Sequence, residues 1–177
     1  MQLKSLVFLA SALATAWGAT VADVLADLNT VKSRVTTLDN AINGFPNSGG
    51  TLTQALAIHT DATNTQTAVD DTTADANTVP TPVSESDGQS ILNSITSIEP
   101  VIENALSAIV TKKAAFDALP VGGIPALVAQ DLSNLSASTS ALENALISKA
   151  PADLVSQANA VKGRIDAAFA TAIAAYS

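Results

Sequence analysis

Residues 20–44 read TVADVLADLNTVKSRVTTLDNAING, and their spacing decides the fold. Val21, Val24, Leu25, Leu28, Val31, Val35, Leu38 and Ile42 recur at steps of three and four, which places them on one face of a helix. Gly44 and Pro46 stop that helix, and Phe45-Pro46-Asn47-Ser48-Gly49-Gly50 is turn chemistry.

The same rhythm recurs downstream. A second segment starts near Thr51, with Leu52, Ala55, Leu56, His59, Thr63, Gln66, Val69, Thr73 and Ala76 as its expected inner face. It is more polar than the first, with ten threonines between positions 51 and 81, and Pro80 and Pro82 end it. A third opens at Ser84-Glu85-Ser86-Asp87, where early negative charge suits a helix start. Its face is Ile91, Ile95, Ile98, Ile102, Leu106, Ile109 and Phe116. Pro100 lies inside it, so the segment is either one bent helix or two short ones. A fourth begins near Pro125 and carries Leu127, Val128, Leu132, Leu135, Leu142, Ala145 and Leu146, interrupted by Ser138 and Thr139. Pro151 is expected to open a fifth, with Leu154, Val155, Ala158, Val161, Ile165, Phe169, Ala172 and Ile173. Long helices joined by short loops pack as antiparallel neighbours, so the fold class is all-α: an elongated up-and-down bundle of about five amphipathic helices.

The segment before this pattern is an address. Met1–Lys4 is a short basic start, an apolar run follows from Leu6 to Ala16, and Ala16 and Gly18 fit a cleavage site. That run is too short to span a bilayer, so residues 1–18 are expected to be a cleaved secretory signal and 19–177 a single helical domain. Loss of Lys4 leaves seven basic against sixteen acidic residues, a charge of −9. No membrane span is expected in the processed chain, nor a lipid anchor at Tyr176-Ser177. The expected location is secreted, extracellular or cell wall, and the charge favours a monomer.

Composition excludes much chemistry. The formal charge of −8 argues against nucleic acid, which needs a basic face. Cysteine is absent, so there is no disulfide scaffold, zinc-thiolate site or cysteine nucleophile. His59 is the only histidine, which excludes a multi-histidine metal site. Asp61 lies two residues along the helix and does not face it, so the pair is no catalytic dyad. Asp70, Asp71 and Asp75 lack the spacing of a calcium loop. No Gly-rich phosphate loop or nucleophile elbow occurs, and neither catalysis nor a cofactor is expected. Asn134-Leu135-Ser136 is an N-glycosylation sequon, and the threonine-rich second segment suits O-glycosylation in composition.

What remains is the lining. Alanine accounts for 34 of 177 residues, serine and threonine for 36, and aromatics for only 3%, so few large side chains fill the space between helices. Such helices either approach closely or leave a void, and an evolved apolar void suits an apolar chain. A ligand tail would lie against Leu28, Leu56, Ile95, Ile102, Leu135, Val161 and Ile165, and a polar head would meet His59, Gln66 or Ser138.

Several stretches resemble one family. These are Val24-Leu25-Ala26-Asp27-Leu28, Leu38-Asp39-Asn40-Ala41-Ile42, the run from Leu106 to Asp117, and Leu142-Glu143-Asn144-Ala145-Leu146. In order and spacing they resemble the secreted fungal cell-wall mannoproteins that include hydrophobic surface-binding protein A. The resemblance implies an all-helical protein that is not an enzyme and that binds fatty acids within the bundle, adsorbs to hydrophobic surfaces, or serves as a structural wall antigen. Recruitment of a secreted hydrolase follows from the resemblance alone. Two functions stay open at this point: a bundle that holds a fatty acid or similar lipid, and one that opens to lay its apolar stripes on a surface.

Overall fold

The computed structural model describes residues 18–177; the signal sequence read over 1–18 therefore lies, but for Gly18, outside the described residues. Five helices follow in order: α1 Val21–Gly44, α2 Leu52–Thr78, α3 Glu85–Asp117, α4 Ile124–Lys149 and α5 Val155–Ala175. No strand occurs among the described residues. None of these helices is long and apolar enough to cross a membrane.

The helix starts are chemically specified. Thr20 caps α1 in a reciprocal box: its hydroxyl accepts from the Asp23 amide at 3.2 Å, and the Asp23 carboxylate accepts from the Thr20 amide at 2.8 Å. Hydrogen bonds from the Thr20 side chain and backbone hold the Asp23 carboxyl below the usual range. Thr51 and Gln54 repeat the box on α2, at 3.2 and 3.0 Å. Ser84 accepts from the Asp87 amide at the start of α3. Gly123, at φ 94°, enters α4 from the left-handed region that glycine adopts without strain.

One expectation is corrected and one open alternative is decided. Pro151 does not open α5: the Leu154 amide donates to the Pro151 carbonyl at 3.0 Å, which closes a separate turn, and the helix starts at Val155. Pro100 does not split α3, which runs through it as one helix of 33 residues, about 50 Å long. Pro100 is solvent-exposed, so its ring meets water there rather than a neighbouring helix.

The polar α2 stays helical because its hydroxyls are satisfied within it. Thr60, Thr63, Thr65, Thr67, Thr72 and Thr73 each donate to the carbonyl four residues back, and Thr65 and Thr72 do so while buried. The inner face of α2 is Ala55, Ile58, Ala62, Thr65, Val69, Thr72 and Ala76; Ala55, Val69 and Ala76 belong to the expected face, whereas Ile58, Ala62, Thr65 and Thr72 stand inward in place of the expected Leu56, His59, Thr63, Gln66 and Thr73.

Helix contacts run α1 to α2, α2 to α4, α4 to α5, α5 to α3, and α3 back to α1, which closes a ring of five. Across the ring, α3 and α4 touch only weakly. The core is correspondingly divided. One cluster, with Leu38, Leu106, Leu135, Ile165 and Phe169, extends to the end where α3 stops and α4 starts. There Phe45 stacks on Phe116, ring centroids 4.4 Å apart, beside Tyr176, whose hydroxyl donates to the Ile109 carbonyl at 2.8 Å. A second cluster, with Val24, Leu28, Val31, Val35, Val69, Ile98 and Leu142, lies toward the opposite end, where the first also extends through Leu92, Leu154 and Val161. Ile95 and Ile102 pack against both clusters.

Candidate functional site

The space between the two halves of the core is the candidate site. Its central part, a cavity of about 70 Å³, takes walls from all five helices, among them Val35, Val69, Ile98, Thr139 and Phe169. Toward the aromatic end it adjoins a cavity of about 50 Å³ lined by Ile42, Ile58, Ile109 and Val128. Leu38, Ala105, Leu106 and Leu135 belong to both. Toward the opposite end it adjoins a third space, a cavity of about 50 Å³, between the start of α3, the end of α4 and the start of α5. Ile95 and Glu143 are the wall shared there. Val83, Ile91 and Ile147 line this last space and are half-exposed, so this end meets solvent. The three spaces lie in series along the bundle.

Small residues make the room. Ala105 sits in the wall between α3 and α1, and Ala158 stands where α5 begins. Gly88 lets α3 approach the Pro151 turn: a Cβ there would lie 2.6 Å from Pro151 Cδ and 3.1 Å from Leu154 Cδ1.

Of the residues expected to touch a ligand, five line the series. Ile95 faces the central and solvent-end spaces, Ile102 and Ile165 the central one, Leu135 the central and aromatic-end ones, and Val161 the solvent-end one. Five others stand elsewhere. Leu28 is fully buried in the second core cluster and lines none of these three spaces. Leu56 is 43% exposed, because α2 is rotated so that Ile58 points inward in its place. His59 sits at the surface, its Nδ1 within 2.9 Å of Asp131 Oδ2. Gln66 is half-buried and Ser138 buried, and neither lines the three spaces; the neighbour of Ser138, Thr139, does. Asn134, the sequon residue, is half-buried and accepts from Gln130 Nε2 at 2.8 Å.

Periodicity does not point to the buried carboxylate of the lining. Glu143 is buried, and its Oε2 accepts from Lys162 Nζ at 3.1 Å. Its Oε1 is buried with no hydrogen-bond partner among the described residues. Such an orphan acceptor costs about 1–3 kcal/mol. Burial pushes the Glu143 carboxyl up to about 7, against the opposing pull of Lys162. Burial also opposes the Lys162 charge, but Asp166 at 2.9 Å and Glu143 outweigh it and hold the ammonium above the usual lysine range. Lys162 further donates to Ser140 Oγ at 2.8 Å. Asp131, the other acidic residue in these walls, is raised by burial and eased by His59. The signal was present in the sequence: Leu135, Thr139 and Glu143 follow one another at steps of four, and so do Ala158 and Lys162.

The arrangement is thus a series of three adjoining apolar spaces with one buried carboxylate, Glu143, in the wall shared by two of them. Comparison with known proteins agrees with this geometry. The sequence model of the hydrophobic surface binding protein A family matches residues 21–148. A comparison with curated proteins returned no match. Among solved structures, the chain is similar to AfMP4p in complex with palmitic acid, at 35% identity and a TM-score of 0.81, over 89% of this chain and 99% of that one. It has the fold of ligand binding domain 1 of Penicillium marneffei MP1 complexed with arachidonic acids, with 18% identity, a TM-score of 0.79 and the same coverage. Ligand binding domain 2 of that protein, complexed with multiple arachidonic acids, superposes with a TM-score of 0.74 at 16% identity, over 88% of this chain and 93% of that one. The chain belongs to the hydrophobic surface binding protein A family.

Proposed function

We propose that this member of the hydrophobic surface binding protein A family is a non-enzymatic carrier that holds the alkyl chain of a fatty acid or similar lipid along its internal tunnel. One observation carries the reading: an apolar space walled by all five helices lies between two halves of a divided core. Left empty, such a space destabilises the bundle by roughly 24 cal/mol per Å³ of true void. Filled by an alkyl chain, it gains about 0.8 kcal/mol for each methylene removed from water. The palmitic acid held by AfMP4p, at 35% identity, supports the assignment.

The signal read over residues 1–18 and the domain from 19 onward make the carrier an exported one, working outside the cell or in the wall as a monomer, with Asn134 as its candidate N-glycan site. Organic extraction of the purified protein, followed by mass spectrometry, tests the carrier reading. Stoichiometric fatty acid is expected. An empty extract, with no uptake from a fatty-acid panel, overturns it.

A second reading has its own support in the family match and the absence of cysteine: nothing covalent locks the ring, so it can open at an apolar surface. A covalent cross-link between α1 and α3 separates the two. Adsorption that disappears on cross-linking, while lipid uptake persists, assigns adsorption to the opened bundle.

A further inference from the structure

Glu143 stands in the wall shared by the central and solvent-end spaces, with one carboxylate oxygen buried and unpartnered. Asp131, by contrast, has both oxygens within 3.0 Å of His59 Nδ1. Among the described residues, the surroundings of Glu143 leave no spare cation. From α5, Lys162 reaches it but is shared with Asp166 and with Ser140 of α4. Further along α4, Lys149 lines the solvent-end space, yet its Nζ donates to the Asn77 and Val79 carbonyls at 3.1 and 2.9 Å. From α3 the facing residues are Ile91, Ile95 and Ile98, and Glu99 is engaged by Arg164, whose Nη2 lies 3.0 Å from Glu99 Oε2. From α1 and α2 the walls are Val31, Val35, Thr65 and Val69, all uncharged.

Two carboxylates therefore already share one ammonium. A fatty-acid carboxylate brought to the same point makes three. Carboxyl groups that close cannot all stay ionised, and the lowest-energy arrangement puts one proton between two of them. The unpartnered Oε1 has no hydrogen bond to give up when it takes that proton.

We propose that Glu143 is the head-group acceptor of the tunnel, and that it binds a fatty acid as a carboxyl–carboxylate pair, with one proton taken up from solvent for each acid bound. The inference rests on the carrier reading above and specifies its polar end. No covalent bond forms; the shared proton comes from water and returns to it on release. Above the range in which free Glu143 holds its own proton, about pH 7, each further pH unit lowers the affinity about tenfold. A fatty alcohol is different. Its hydroxyl donates to ionised Glu143 directly and needs no proton.

The test uses the delipidated protein and laurate at concentrations where it is monomeric. Calorimetry at pH 8 in two buffers of different ionisation enthalpy counts the protons. The expected result is uptake of about one proton per laurate, an affinity about tenfold weaker at pH 9 than at pH 8, and no proton uptake with dodecanol. Glu143→Gln keeps a donor of the same shape but cannot titrate, so it should abolish both the proton uptake and the pH slope. Laurate binding to the wild type with no proton uptake overturns the head-group assignment and leaves the carrier reading standing. Retention of the slope in Glu143→Gln does the same. No binding of either lipid at any pH overturns the carrier reading itself, and the head-group assignment with it.

Discussion

Glu143 also governs the folded state when no lipid is bound. Its carboxyl titrates near 4.5 in the unfolded chain and about 7 in the folded one, where burial disfavours the charge. A raised carboxyl binds its proton more tightly when folded, so its contribution is fully present below about pH 4.5 and is lost as pH rises through 7. At 1.36 kcal/mol per unit, the loss by pH 8 is about 3 kcal/mol at most. Glu143→Gln removes the titration and leaves every other group in place. Urea unfolding at pH 5 and pH 8 should therefore show the wild type losing more stability than the variant across that interval, by about 2–3 kcal/mol. An equal loss in the two proteins would mean that Glu143 ionises freely. Tyr176 gives a second residue-scale prediction. Burial holds its hydroxyl well above the ordinary tyrosine range, and that hydroxyl bonds the Ile109 carbonyl from inside the core. Tyr176→Phe should cost about 1–2 kcal/mol of unfolding free energy by the loss of that bond.

At the scale of elements, α2 shows what the sequence could and could not reveal. Its bounds were legible because Thr51 with Gln54 and Pro80 with Pro82 are local signals at the two ends. Its facing was not. Leu56 and His59 are larger than the alanines and threonines around them and drew the expected stripe toward themselves. In the bundle, Ala55 and Ala76 face inward as the spacing predicts, but Ala62, Thr65 and Thr72 do so too, because small side chains let α2 approach α1 and α4 and the buried threonines satisfy their own hydroxyls. A contrast of two variants checks this register. Ile58→Ala should cost about 2–5 kcal/mol, whereas Leu56→Ala should fall within about 0.5 kcal/mol of wild type. The reverse order would restore the face expected from the periodicity. The strongly apolar helices were easier: every residue quoted for the face of α3 lines the core or packs against it. Half of the expected ligand contacts line the tunnel, because Ile95, Ile102, Leu135, Val161 and Ile165 lie on faces that periodicity resolves. Glu143 and Lys162 escaped because a charged residue inside an apolar stripe is legible only when the register is already known.

Across the whole molecule, the closed ring explains why a stable bundle can keep an interior space. Each helix packs against two neighbours around the ring, so stability is supplied at the circumference, while α3 and α4 scarcely meet across the middle. The divided core is the consequence: one cluster runs from Leu92 and Leu154 to Phe116, the other lies beside it around Val24, Val35 and Leu142, and only Ile95 and Ile102 among the partly buried side chains reach both. Filling the middle by mutation should then do what a ligand does. Ala105 lies where the central and aromatic-end spaces meet, so Ala105→Leu places added methyl groups in the tunnel rather than in a packed wall. A bound lipid at one hundred times its dissociation constant stabilises the folded state by about 2.7 kcal/mol, which raises Tm by about 5–10 °C in a domain of this size. The lipid-free Ala105→Leu protein should melt higher than the lipid-free wild type, and added palmitate should raise its Tm far less. Scanning calorimetry of both proteins with and without palmitate measures all four values. If Ala105→Leu lowers Tm as an overpacked core does, by about 1–3 kcal/mol of destabilisation, the space closes in solution and the carrier reading loses its physical basis. If Tm rises and the palmitate response is lost together, one volume serves both the added side chain and the lipid, and the interior is a binding site that the ring of helices holds open.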